Sequence, residues 1–304
     1  LRNIEEYIQG LKNHHVGSLA RCITIVENEL AGSREILESL QFNNITPVIG
    51  ITGPPGAGKS SLVNALLDHI FTHAAHSKVG IVAIDPTSPF NKGSILGDRV
   101  RMGAHFNNPN VFIRSLASRG SLGGLSAKTI EITDVMKAAG FDYIFVETVG
   151  VGQSEIEIVG LADITAVVLV PEAGDDIQAI KSGIMEIADI FVINKSDRNG
   201  VNTFIKGIAD MLNTSNKSKH PEIIKTIATK NEGIAEFFDI INQLKNDLHS
   251  NQYRPYLLAE KVYAIIQNQR MKNIKKKDIE EMIREKMNDA DFNIYKLAQR
   301  FEHL

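Results

Sequence analysis

The sequence predicts an α/β fold: a mostly parallel sheet covered by helices on both faces, with helical segments before and after it. Three observations predict it. Short β-branched runs alternate with helix-patterned segments through the middle of the chain. Those runs are apolar throughout rather than alternating, which is how strands buried on both faces read. A bare turn, GPPGAGKSS, lies between one such run and a helical repeat.

Taken in order, residues 1–45 read as helices, with Leu19, Ile23, Val26 and Leu30 recurring at spacings of three and four. The pattern then changes to PVIGIT (47–52), VGIVAID (79–85), VFIRS (111–115), YIFVET (143–148), AVVLV (166–170), IFVIN (190–194) and KTIAT (225–229). These are the expected strands of a core at 46–248. Beyond it, in 249–304, LLAEKVYAIIQ and MKNIKKKDIEEMIREKM read as amphipathic helices.

Composition limits the function classes. A chain of 304 residues can bury a sizeable core, and a net charge of −3 with 43% hydrophobic residues is that of an ordinary globular protein. It lacks the basic excess of a general nucleic-acid binder. No run reaches the roughly 18 to 20 apolar residues of a membrane span, and no signal-peptide pattern opens the chain. The lone Cys22 excludes an internal disulfide, reads as a core residue on a helix face, and fits a reducing compartment. The expectation is a cytoplasmic protein that binds neither membrane nor nucleic acid. The first residue is leucine, so a trimmed targeting segment stays an open alternative.

The bare turn satisfies G-x-x-x-x-G-K-[ST] through Gly53, Gly58, Lys59 and Ser60. Glycine opens backbone conformations closed to other residues and keeps side chains away from a ligand. Successive N–H groups can then form an anion nest, to which the following helix adds its positive end. Gly53, Pro54, Pro55, Gly56, Ala57 and Gly58, with Lys59, Ser60 and Ser61, are therefore the expected phosphate cradle of a P-loop NTPase. Lys59 supplies a charge for the β- and γ-phosphates, and Ser60 a hydroxyl for Mg²⁺.

NKSD, at 194–197, closes the run IFVIN on the same edge as this loop. Ligands of open parallel sheets bind beyond the carboxyl ends of the strands. Asp197 can accept from guanine N1–H and the 2-amino group together, whereas adenine would leave the carboxylate unmatched. Asn194 can hold the loops around the base, and the Lys195 stem can cover one base face. TIATKNEG (226–233) is the expected second guanine loop, with the Ala228 N–H directed at the base oxygen and Thr229 beside it. The expected ligands are GTP and GDP.

Asp85 and Glu147 each end a strand on the ligand edge, where hard carboxylate oxygens suit Mg²⁺. Asp98, in SILGDRVRM, is a third candidate. For each, a capping or salt-bridged carboxylate is the structural alternative. Gly150 follows Glu147 by three and can donate its N–H to the γ-phosphate, so loss of that phosphate would release the loop 148–155. Val151 stands where Ras-type proteins place the glutamine that orients water, and Gln153 lies two residues further. Hydrolysis by the chain alone is therefore expected to be slow, with a partner improving the geometry.

GPPGAGKSSL, DPTSPFNKGSILGDRVRM, FIRSLASRGSLGGLS, VETVGVGQSE and AGDDIQAIKSGIMEIADIFVINKSD, with the flanking helices, together resemble the MeaB/ArgK/MMAA family of SIMIBI P-loop GTPases. The resemblance covers nearly the whole chain. It implies a G-protein chaperone that gates adenosylcobalamin loading into methylmalonyl-CoA mutase or a close acyl-CoA mutase, and protects or reactivates that enzyme. It also implies a further switch at 174–183, with Asp175, Asp176, Gln178 and Lys181 as its polar members. Lys181 would stabilise charge during hydrolysis, an exposed helix lysine being the alternative. The C-terminal helices would form a homodimerisation arm through Leu257, Leu258, Val262, Ile265 and Ile266, packing on the chain's own core being the alternative.

Two other functions compete. A nickel-delivery GTPase would normally carry a cysteine/histidine site, and His69, His73 and His76 are weak candidates expected at the far end of their helix. A small-molecule kinase would need an acceptor pocket that the sequence does not display. Arg114 and Arg119 are left open between a phosphate, a partner and a bracing role.

Overall fold

The computed structural model describes residues 4–41, 46–85, 105, 107–117, 127–148, 158–171, 188–213, 220–247, 254–289 and 292–301. Two compact units divide the chain, Leu1–Gln252 and Tyr253–Leu304.

The first unit opens with α1 (Ile4–Lys12), α2 (Val16–Glu27) and α3 (Ser33–Glu38). His15 caps α2, its Nδ1 accepting from the Ser18 N–H at 3.2 Å, which satisfies one of the orphan donors of a helix start. Leu19, Cys22, Ile23 and Val26 are buried along α2, but Leu30 is 45% exposed. The expected stripe therefore ends one turn early. Asn28 closes the helix, and beyond that point the helical spacing no longer aims a side chain at the core. Burial pushes the Cys22 thiol up to about 11, as expected where a thiolate would lose its water.

Among the described residues the sheet has seven strands in the order β3-β2-β4-β1-β5-β6-β7. They are β1 (Val48–Thr52), β2 (Val79–Asp85), β3 (Val111–Ala117), β4 (Tyr143–Glu147), β5 (Ile164–Leu169), β6 (Ile190–Ile193) and β7 (Glu222–Lys225). Every pairing is parallel. Among the described residues the helices within this part of the chain are α4 (Lys59–His73), α5 (Ala127–Ala138), α6 (Val201–Asn213) and α7 (Ile234–Asp247).

Side chains alternate across a strand, and that period sorts the core. Ile49, Ile51, Ala166 and Val168 pack with Leu62, Leu66 and Ile70 of α4 and Phe237 and Ile241 of α7. Val48, Val82 and Val146 face the other way, onto α2 and onto Ile132, Val135 and Met136 of α5. Val167, Leu169, Phe191 and Ile193 pack with Phe204, Ile208 and Leu212 of α6. The N-terminal helices thus cover one face of the sheet, within the same compact unit. Arg114 on β3 pairs with Glu27 at the end of α2, so it braces the edge strand against that helix.

One strand differs from expectation. KTIAT is not a strand; β7 is Glu222–Lys225 and pairs with β6. Thr226 is fully buried, Ala228–Lys230 form a short 3-10 turn, and Ile227 bridges to Glu232. The Thr226 hydroxyl has a buried partner, Asn194 Oδ1, at the strand end.

The second unit contains α8 (Arg254–Met271), α9 (Lys276–Lys286) and α10 (Ile294–Gln299). On α8, Leu258 and Val262 are 49% and 54% exposed, and Ile266 is exposed too. Among the described residues no helix is long and apolar enough to cross a membrane.

Candidate functional site

The site is built at the carboxyl end of β1, which lies between β4 and β5, with β2 and β3 in one half of the sheet and β6 and β7 in the other. The loop after β1 uses three left-handed glycines, Gly53 (φ 137°), Gly56 (φ 77°) and Gly58 (φ 91°). At two of them the surroundings also demand glycine. A Cβ on Gly53 would stand 2.1 Å from the Val168 carbonyl oxygen, and one on Gly58 would stand 2.4 Å from Asn194 Nδ2. Gly58 caps α4, whose first-turn N–H groups supply the positive end of the helix dipole. Ala57 is buried, while Pro55, Gly56 and Ser61 are exposed.

Lys59 is the first residue of α4 and only 6% exposed. Its Nζ donates to Gly53 O at 2.8 Å and to Pro54 O at 3.1 Å. The cation therefore lies across the concave loop rather than in solvent. Ser60 Oγ donates to Glu147 Oε1 at 2.6 Å, and both residues are buried. Register explains this meeting. Glu147 ends β4 and is paired with Ile51 of β1, immediately before the loop. Asp85 ends β2, two positions past Ala83, which is Glu147's partner on that strand. Its backbone thus stands on the same edge; its side chain lies outside the described residues.

Asn194 is the cross-brace. Its Nδ2 donates to Ala57 O at 2.8 Å, and its Oδ1 accepts from Thr226 Oγ1 at 3.2 Å and from the Ala228 N–H at 3.1 Å. Ser196 N–H donates to Thr226 O at 3.1 Å. Lys195, at φ 55°, arches back so that its Nζ donates to Gly56 O at 2.7 Å. NKSD, the phosphate-type loop and the 226–233 loop are thereby fastened together. The Ala228 N–H, expected at the base oxygen, donates in this structure to Asn194 Oδ1. Thr229 is exposed in the same short turn.

This geometry can be set beside known proteins. The family model for the methylmalonyl Co-A mutase-associated GTPase MeaB matches residues 19–287. This chain belongs to the MeaB family of GTPases. A GTPase of Pyrococcus abyssi is 42% identical over 97% of this chain and 94% of its own length. The GTPase ArgK of Escherichia coli is 33% identical over 96% of this chain and 88% of its own. The mitochondrial methylmalonic aciduria type A homolog of Mus musculus is 31% identical over 81% of this chain and 64% of its own. Among solved structures, one described as an LAO/AO transport system kinase has a TM-score of 0.70 and 26% identity, covering 94% of this chain and 91% of that one. HypB from Helicobacter pylori, at 17% identity and a TM-score of 0.51, shares the fold.

The MeaB-family assignment makes the chain a guanine-nucleotide-hydrolysing enzyme. Asp98, Gly150, Gln153 and Lys181 lie outside the described residues, as does the whole of 174–183. Of the segment 148–155 only Thr148 is described.

Sequence reasoning missed two features. Thr148 Oγ1 donates to Thr52 Oγ1 at 3.0 Å, and both are buried. This ties the residue after Glu147 to the residue before Gly53. The second is Thr226, whose hydroxyl serves Asn194; a threonine at the end of a strand-like run, two before an alanine, was the available signal. His69 and His73 lie side by side with tilted rings, centroids 4.2 Å apart. Burial, then the neighbouring His73, lowers the His69 pKa. Among the described residues no group of three or more metal-type side chains could hold an ion. Arg119 lies outside the described residues.

The brace makes a stability prediction. Asn194→Ala removes three buried hydrogen bonds and leaves Ala57 O, Thr226 Oγ1 and the Ala228 N–H without that partner. A loss of about 2–4 kcal/mol in urea unfolding is expected, with weaker GTP binding. A variant within about half a kcal/mol of wild type would show that the brace is dispensable.

Proposed function

We propose that this GTPase is a nucleotide-driven chaperone of an adenosylcobalamin-dependent mutase of the methylmalonyl-CoA type. The reading rests on one observation above the rest: the family model named for a mutase-associated GTPase matches across both units of the chain. The reaction is GTP + H₂O → GDP + phosphate, and its use is gating. A switch moves its client only through the difference in affinity between its two nucleotide states.

In this reading the β- and γ-phosphates lie in the loop 53–61. Lys59 swings from the Gly53 and Pro54 carbonyls to the phosphates, exchanging two neutral acceptors for charged ones. Asp197 reads the guanine edge, and Lys195 covers a base face. Mg²⁺ fits the donor set on the page: the Ser60 hydroxyl and the Glu147 carboxylate are hard oxygens already in contact, with Asp85 and Asp98 as further candidates. When bound, the ion would neutralise phosphate charge. Gly150 would hold the γ-phosphate, Gln153 would approach the attacking water, and Lys181 would offset charge that develops during transfer. Thr148 anchors the base of that switch to Thr52, so movement would begin beyond it. The exposed apolar line Leu258, Val262 and Ile266, with Leu257 and Ile265, supports a homodimer through α8.

The test is GTP turnover by the full chain with and without a methylmalonyl-CoA mutase from the same source. Slow turnover alone, raised at least about tenfold by the mutase, is the expected result. Turnover unmoved by the mutase would remove the client from the proposal, while the GTPase itself would stand.

A further inference from the structure

The two base-side loops also meet through a pair of charged side chains, one from each. Lys230 Nζ lies 3.5 Å from Asp197 Oδ2, with the two side chains 55% and 45% exposed. Such a pair contributes little stability, because water screens it. Its consequence is orientation.

The loop that carries Lys230 is held firmly. The Lys230 N–H donates to Ile227 O at 2.9 Å, and Ile227 bridges to Glu232. Asn231 (φ 56°) and Gly233 (φ 74°) take left-handed conformations, and a Cβ on Gly233 would stand 2.0 Å from Lys225 O. On the other side, Asp197 sits in a turn closed by the Arg198 N–H on Lys195 O at 3.1 Å, and that turn is fastened to the loop by the Ser196 N–H on Thr226 O. A fixed platform therefore presents a cation to a carboxylate on a fixed turn. The carboxylate has about four lone-pair sites, so a lysine on Oδ2 leaves room for two parallel donors.

We infer that Lys230 is a specificity-positioning residue: it holds the Asp197 carboxylate in the orientation that accepts the paired N1–H and 2-amino donors of guanine. This rests on the Asp197 reading in the proposed function. Without Lys230 the carboxylate rotates among rotamers, and the ligand must fix it on binding. A base with both donors loses more from that than a base with one.

The experiment compares GTP with ITP, which keeps N1–H and lacks the 2-amino group, in steady-state turnover by wild type, K230M and K230R. In K230M the GTP-over-ITP ratio of kcat/KM is expected to fall about two- to fivefold, the range of an exposed charge pair. The change should lie in KM rather than kcat, and K230R should restore most of it. Equal weakening toward both nucleotides would assign Lys230 to loop folding alone and overturn the inference, as would an unchanged ratio. Failure of the underlying reading looks different: wild type itself would then show no preference for GTP over ITP.

Discussion

Lys59→Met is expected to cut GTP turnover by about a hundredfold or more while leaving the chain folded. Methionine matches the length of the lysine stem and can occupy the same buried path beneath the loop. What disappears is the cation. In the present structure that cation occupies two loop carbonyls, at 2.8 and 3.1 Å, each a neutral acceptor. A triphosphate offers charged acceptors in a place with little water, where a charge-assisted bond is roughly twice as strong as a neutral one. Single-turnover hydrolysis with a fluorescent GTP analogue, beside a thermal melt, separates the two effects. A variant that hydrolyses within about fivefold of wild type would remove Lys59 from the transition-state machinery. A collapsed melt would assign the lysine to folding instead.

The largest structural effect is expected from Gly53→Ala. The residue sits at φ 137°, and the added Cβ would lie 2.1 Å from Val168 O and 3.2 Å from Val168 N. Val168 is the penultimate residue of β5 and pairs with Val192 of β6, so its backbone cannot retreat without disturbing a ladder. We expect a loss of about 3 kcal/mol or more together with lost GTP binding. Gly56→Ala is the control. It shares a left-handed backbone (φ 77°) but has nothing within 4 Å of the added Cβ, so it should lose only about 1–2 kcal/mol, the left-handed cost itself. Equal losses in urea unfolding for the two variants would show that the close approach to Val168 is relieved at no cost.

The alternation of apolar strands and helices made the sheet legible, and the 53–60 motif marked where a ligand edge would lie, because both are local patterns with fixed periods and fixed residue types. KTIAT shows the limit. Its alternation suits a strand, yet β7 ends at Lys225, and Thr226 and Ala228 instead meet Asn194, a residue distant in sequence. Leu30 shows the same limit on a helix: its spacing continues the stripe, but α2 has already closed at Asn28.

The sequence by itself determined the family and with it a guanine-nucleotide-hydrolysing chemistry, through a glycine-rich loop followed by a lysine and NKSD at the end of a later apolar run. These are local choices of residue type, read with their order along the chain. Only the tertiary structure decided how the pieces hold one another. It placed Asn194 between Ala57, Thr226 and Ala228, joined Thr148 to Thr52, and set Lys230 against Asp197. Those partners are far apart along the chain, and parallel strand register brings them to one edge. A one-residue slip would reverse every side chain's face, which is why no motif could have shown these contacts.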